Sequence, residues 1–345
     1  MKNYRVVFPS QSNVALESFE LPALQPNEML VKTNITQISI GTELTLLEAN
    51  VEPDSPWFKR GIIHYPNYPG YNAVGTVVAV GANVPKTMLG VRLTHTGPHQ
   101  SCHILDYTKT ESYCMVPENV PSEASVFFTF GEITLGSIRS AKIRPGDTVA
   151  VFGAGLIGQV LARLAKVAGA LTVYVTDVSD FRLSKLPDDP AFVPINSANV
   201  NAVETIRSMT GDRGVDIVFE CTSVPALVDQ EIRCITKCGK LIVTSSLKGK
   251  ALVDLDYCNH MAISIIGAHN GSSHTPVATP ADPWTRHNDD IYFQNLLAQN
   301  RLTVQEMITH TISWKEAPDM YRMLMEDRTR ALAVCILWDT EDEKA

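Results

Sequence analysis

A chain of 345 residues with 45% hydrophobic and 19% charged side chains is long enough for about two full cores and is ordinary for a compact soluble protein. A net charge of −8 without a dense Lys/Arg cluster argues against nucleic acid or an anionic membrane as partner and suits a small neutral molecule. The opening MKNYRVVF lacks the apolar core of a signal peptide, and no apolar run reaches about 18 residues, so a cytoplasmic location is expected.

Residues 1–122 read as β-rich, with strands expected at 4–8, 29–40, 73–80 and 112–116 and Gly and Pro throughout. The connection 50–71 carries Pro53, Pro56, Pro66 and Pro69, which fits an ordered irregular loop of the kind that walls a substrate site. From Ser122 the pattern turns helical and then alternates strand and helix up to about Gly267, which predicts a doubly wound parallel sheet. Buried strands are expected at 148–152, 171–176, 215–221, 240–245 and 262–267, with a helix over 226–237. A polar loop beginning at His269 follows, then helices over 291–300 and 315–326 and an apolar strand over 331–338; the acidic end DTEDEKA should fray. The expected domains are therefore 1–122, 123–268 and 269–345.

The most informative stretch is TVAVFGAGLIGQVLARLAKVAGALTVYVTD, 148–177. Gly153, Gly155 and Gly158 follow a short β-rich run at GxGxxG spacing. The first glycine permits the tight turn, the second lets a pyrophosphate approach the backbone and the third lets helix pack on strand. The helix that starts there aims its free N–H groups at an anion. Asp177 ends the next strand 19 residues beyond Gly158, where its carboxylate can accept ribose hydroxyls and would repel a 2′-phosphate. NAD is the expected cofactor, with Leu156, Ile157, Arg182, Thr222 and Ser245 as further cofactor-binding candidates. Asp177 could also cap a helix over 179–186.

The seven cysteines (102, 114, 221, 234, 238, 258, 335) are odd in number, without a CxxC pair, and read as free thiols. Cys234 and Cys238, one turn apart on the expected helix, read as packing residues.

A β domain, a central dinucleotide domain and a C-terminal return resemble the medium-chain dehydrogenase/reductase family of zinc-type alcohol and polyol dehydrogenases. The resemblance rests on GTE (41–43), PGYNAVGTVVAVG (69–81), KIRPGDTVAVFGAGLIG (142–158) and ITHTISWKEAPDMY (308–321). It implies a Rossmann domain, a GroES-like catalytic domain completed by both chain ends, a substrate cleft beside the nicotinamide, and a homodimer or homotetramer paired through 262–267. Against the family's catalytic zinc ligands, Ile40, Tyr71 and Thr129 stand at the motif positions, and Asn72 replaces an outer Glu. Neither Ile nor Tyr is a usual zinc ligand. The structural zinc needs four close cysteines, and the stretch of the β domain after Gly90 offers only Cys102 and Cys114. Both zincs are expected to be absent, as in the family's GTE branch, similar to bacteriochlorophyllide dehydrogenases. HTGPHQSCH (95–103) offers His99, Cys102 and His103, yet on a strand over 100–105 Cys102 and His103 would face opposite ways, so no metal is expected there.

Without zinc, oxidation of a carbinol needs a base and donors that hold the developing oxyanion. The candidates are Thr42, matching the family's relay hydroxyl; Tyr71, at a former ligand position; His99 as base; and Glu43 and Glu132, with His269 and Asn270 behind them. Each has a structural reading: Thr42 bonding its own turn, Glu43 pairing with an Arg, Tyr71 filling the void left by metal, His99 satisfied on an edge strand, Glu132 as a helix-terminus charge. The expected activity is zinc-independent, NAD-linked interconversion of a secondary alcohol (sugar, cyclitol or polyol) and its ketone. A reductase of activated double bonds or quinones, or a non-catalytic NAD(H)-binding protein, are the alternatives.

Overall fold

The structure is a computed structural model that describes residues 2–52 and 56–338. Pro53 of the expected loop and the acidic tail from Asp339 lie outside the described residues. The chain opens with β1 (Asn3–Ser10), β2 (Asn13–Phe19) and β3 (Glu28–Ile38), then α1 (Ile40–Glu48) and α2 (Pro56–Lys59). There follow β4 (Ala73–Val80), β5 (Arg92–His95), β6 (Cys102–Asp106) and β7 (Tyr113–Met115), then α3 (Ser122–Ser125) and α4 (Phe128–Ala141). The middle alternates β8 (Thr148–Phe152), α5 (Leu156–Val167), β9 (Thr172–Asp177), α6 (Asp180–Leu183), β10 (Phe192–Asn196) and α7 (Ala202–Met209). It continues with β11 (Val215–Glu220), α8 (Val228–Arg233), β12 (Ile235–Val243), α9 (Leu255–Met261) and β13 (Ser264–Gly267). The chain then runs through α10 (Arg286–Ala298), β14 (Ile308–Ser313), α11 (Ala317–Asp327) and β15 (Ala333–Leu337).

This is the expected mixed α/β architecture, a doubly wound parallel sheet and a separate β-rich sheet. Two compact units result: the chain up to Thr129 together with Asp290 onward, and Phe130–Asp289. In the second unit six parallel strands take the order β10-β9-β8-β11-β12-β13. The order reverses between β8 and β11, and it is outside the carboxyl ends of strands at such a switch point that ligands bind. Val218, Leu241, Ile206 and Ile232 pack its core. In the first unit the sheet order is β14-β15-β3-β4-β5-β7, and β6 also pairs with β3. Because β15 pairs antiparallel with β3, Val334 against Ile38, the two ends of the chain share one sheet. Among the described residues no helix is long and apolar enough to cross a membrane.

Three of the differences from the sequence expectation bear on the site. The strand expected to reach residue 40 stops at Ile38, because the chain turns at Ser39 into α1. The helix expected over 226–237 ends at Arg233, and Ile235 already pairs with Val215 in the sheet. Cys234 and Cys238 therefore share no helix: Cys234 caps α8, and Cys238 lies in β12 with φ +62°. The polar loop after Gly267 stays with the dinucleotide unit, since the buried Asp289 carboxylate accepts from Arg139 Nε (3.0 Å), Arg139 Nη2 and the ring of His274 (3.1 Å).

Candidate functional site

The glycine turn is built as its sequence dictates. Gly153 has φ +99°, and a Cβ there would meet Cys221 O at 2.9 Å; a Cβ on Gly158 would sit 1.8 Å from Gly153 O. Gly155 is the opposite case, with nothing within 4 Å of the missing Cβ. It is the N-cap of α5, and no side chain caps it, so the N–H groups of the first turn, at Leu156 and Ile157, are left without a capping acceptor from the N-cap side chain. A helix of this length with an uncapped, glycine-lined start fits a pyrophosphate.

Asp177, at the end of β9, is fixed by two backbone donors: Ala154 N of the glycine turn at 2.8 Å and Ser179 N at 2.9 Å. It does not cap the next helix, because Ser179 takes that role toward Arg182 N. Arg182 Nη1 stands 4.0 Å from the Asp177 carboxylate. Thr222 and Ser245, from the loops after β11 and β12, are joined by a residue that the sequence reading missed. Glu220, fully buried, accepts from Thr222 Oγ1 at 2.7 Å and from Ser245 Oγ. The available signal was an acid ending a buried strand two positions before Thr222. Every cofactor candidate thus lies in one unit, along the carboxyl edge of its sheet, in an arrangement that fits a dinucleotide.

The first unit gathers a second constellation around α1. Tyr71 donates from its hydroxyl to Ser39 Oγ and lies 3.4 Å from Thr42 Oγ1. Burial, with the nearby Glu43 charge adding to it, pushes the Tyr71 phenol up to about 12. Tyr71 and Thr42 are half-buried and Ser39 is buried, so the first two form the reachable side of this hydroxyl cluster.

Behind it sits Glu43, fully buried and without the expected Arg. Its Oε1 accepts from Ser39 N at 2.8 Å; its Oε2 meets His99 Nε2 at 3.1 Å and accepts from the Tyr321 hydroxyl. His99 is not an edge-strand residue: it precedes β6, its ring is 0% exposed, and its Nδ1 has no partner. Gly70 makes room for that ring, since a Cβ there would approach it to 2.8 Å. Ser39 and Tyr321 were not singled out from sequence. Ser39 directly precedes the IGTE run, and Tyr321 closes the ITHTISWKEAPDMY motif, where nothing local ties it to Glu43.

The positions where relatives place zinc ligands offer poor ones here. Ile40 packs into the apolar cluster around Phe8 and Trp338, Tyr71 is turned to Ser39, and Thr129 donates to Tyr71 O at 3.2 Å. The buried amide of Asn72 finds no hydrogen-bond partner. His95 and His103 pack edge to face with ring centroids 4.2 Å apart; burial lowers His95 to about 4 and His103 well below its usual value. Cys102 is half-buried beside them. Among the described residues no group of three or more His, Cys, Asp or Glu side chains could hold a metal ion. Glu132 belongs to the other unit, buried one turn inside α4 rather than at its start. His269 is exposed and Asn270 half-buried in the late loop, which belongs to the other unit.

Comparison with known proteins agrees with this architecture. A family model described as zinc-binding dehydrogenase matches residues 157–281. The uncharacterized zinc-type alcohol dehydrogenase-like protein YdjJ of Escherichia coli (strain K12) is 23% identical over 352 aligned residues, covering 93% of this chain and 94% of that one. A putative zinc-binding dehydrogenase from Sinorhizobium meliloti 1021, bound to NADP, superposes with a TM-score of 0.79 at 20% identity over 98% of this chain and 99% of its own. A protein described as short chain alcohol dehydrogenase (rspB) from E. coli CFT073, complexed with NADH, gives 0.78 at 17% identity over 97% of this chain and 99% of its own. In its sheet order, its glycine turn and matches that span its length, the chain is similar to zinc-type alcohol dehydrogenase-like proteins of the medium-chain dehydrogenase type.

Proposed function

We propose that the protein interconverts a secondary alcohol of the sugar, cyclitol or polyol type and its ketone, using NAD(H) and no zinc. The hydroxyl cluster carries this reading: Tyr71, bonded to Ser39 and 3.4 Å from Thr42, stands where zinc-type relatives place a ligand. Bound NAD supplies the hydride acceptor, and its reduced form the donor. A phenol raised to about 12 keeps its proton at neutral pH, and with that proton given to Ser39 in a hydrogen bond the Tyr71 oxygen is free to accept from the hydroxyl of the carbinol. In alcohol oxidation it takes the carbinol proton as its own passes to Thr42, whose hydroxyl, on the reachable side of the cluster, releases its proton to solvent. Glu43 holds the Ser39 backbone, and His99 and Tyr321 hold Glu43, which fixes the cluster without touching substrate. Asp177 supports NAD over NADP, since its charge at the end of β9 opposes a ribose 2′-phosphate.

The test is a panel of polyols, cyclitols and their ketones followed by NADH absorbance. Chelator-treated protein is expected to keep full turnover and to prefer NAD over NADP by at least about tenfold. Tyr71→Phe should lose about 10²- to 10³-fold in turnover with NADH affinity unchanged. Near-normal turnover of Tyr71→Phe, or loss of activity to the chelator, overturns the reading.

A further inference from the structure

Glu220 does more than end β11. Its Oε1 accepts from Thr222 N (2.6 Å), Thr222 Oγ1 (2.7 Å) and Ser223 N (2.8 Å), while its Oε2 takes the Ser245 hydroxyl. A carboxylate only accepts hydrogen bonds, so both hydroxyl protons must point inward at it. Thr222 Oγ1 also accepts from Val224 N at 3.0 Å, whereas Ser245 Oγ is left with its lone pairs turned outward. Glu220 is fully buried; Thr222 and Ser245 are half-buried and form the reachable edge. That edge lies in the loops after β11 and β12, across β8 from β9 and Asp177. In a doubly wound sheet the two halves of a dinucleotide lie on either side of the switch point, so an adenosine at Asp177 puts the nicotinamide on the β11–β12 side.

We propose that Glu220 is a positioning residue that turns Ser245, with Thr222, into hydrogen-bond acceptors and so selects the carboxamide N–H₂ of nicotinamide over a carboxylate at the same ring position. The inference rests on the cofactor reading above and adds to it the part of the cofactor that these hydroxyls recognise. An amide nitrogen brings two donors to such an acceptor, whereas a carboxylate brings none and meets only lone pairs. In Glu220→Gln the shape is kept, but the side-chain amide donates to Ser245 Oγ, and the serine proton is released to face outward.

Three probes decide it: NAD, nicotinic acid adenine dinucleotide, and ADP-ribose, which lacks the base. Native protein should bind NAD at least about tenfold more tightly than the nicotinic acid analogue. In Glu220→Gln that ratio should shrink severalfold while ADP-ribose affinity stays at the native value. Ser245→Ala, which leaves the other three donors on Glu220, should shrink the ratio as well and guards against misfolding of the glutamine variant. A native ratio in both variants, or an equal loss of NAD and ADP-ribose binding, overturns the proposal. Failure of native protein to bind NAD and ADP-ribose alike would instead remove the cofactor reading on which it stands.

Discussion

Glu43 shows how far a single residue could be read. Its place in the GTE run marked it out, and an Arg partner was the natural expectation for a carboxylate, yet its partners are His99 and Tyr321, separated from it by 56 and 278 positions. Such pairings are fixed by tertiary packing and leave no local trace, which is why Tyr321, although it closes a quoted motif, was not linked to Glu43, while Thr42 and Tyr71 were named from the positions of their motifs. The same burial makes Glu43 costly to remove. Glu43→Ala leaves Ser39 N, the His99 ring and the Tyr321 hydroxyl without their acceptor, and each stranded buried polar group costs about 1–3 kcal/mol. Glu43→Ala is expected to lose about 3–5 kcal/mol in urea unfolding, against about 1 kcal/mol for Tyr321→Phe, which removes a single donor. If the two variants unfold alike, Glu43 is not the hub of this cluster.

Among elements, those with a strictly local cause were legible. The turn at Gly153, Gly155 and Gly158 follows from where a Cβ cannot fit, and β8 was bounded correctly. The stretch after β11 was not, because apolar Val228, Ile232 and Ile235 fit a continuous helix even though Ile235 pairs in the sheet. Sequence spacing alone also gave no reason to bury Glu231, which lies on α8 with 0% exposure and neither carboxylate oxygen bonded. Burial, with Glu220 adding to it, raises Glu231 from 4.5 to about 9. Glu220, Cys221 and Cys234 are the titratable groups coupled to it. The folded chain therefore keeps a proton that the unfolded chain releases: the stability tied to Glu231 is full below pH 4.5 and is lost as pH rises toward about 9. In urea unfolding, Glu231→Gln should gain on the native protein steadily across that window and match it at its acid end. Parallel pH profiles would place this carboxyl in water.

At the scale of the whole molecule the parallel sheet has two edges, and they are not alike. β10 carries Pro194, which has no N–H to offer a further strand. β13, Ser-Ile-Ile-Gly, has neither proline nor charge, and Ser264, Ile265 and Gly267 are exposed, Ile265 to 44%. An uncharged apolar edge of this kind is a template for pairing, and a second copy meeting it across a two-fold axis would extend the sheet while covering Ile265. A homodimer, alone or as half of a tetramer, is the expected state, and light scattering at micromolar concentration should give at least twice the chain mass. Ile265→Lys places a charge on the paired edge without entering either core and should return the monomer with its melting transition otherwise intact. A native protein that scatters as a monomer at that concentration refutes pairing through β13.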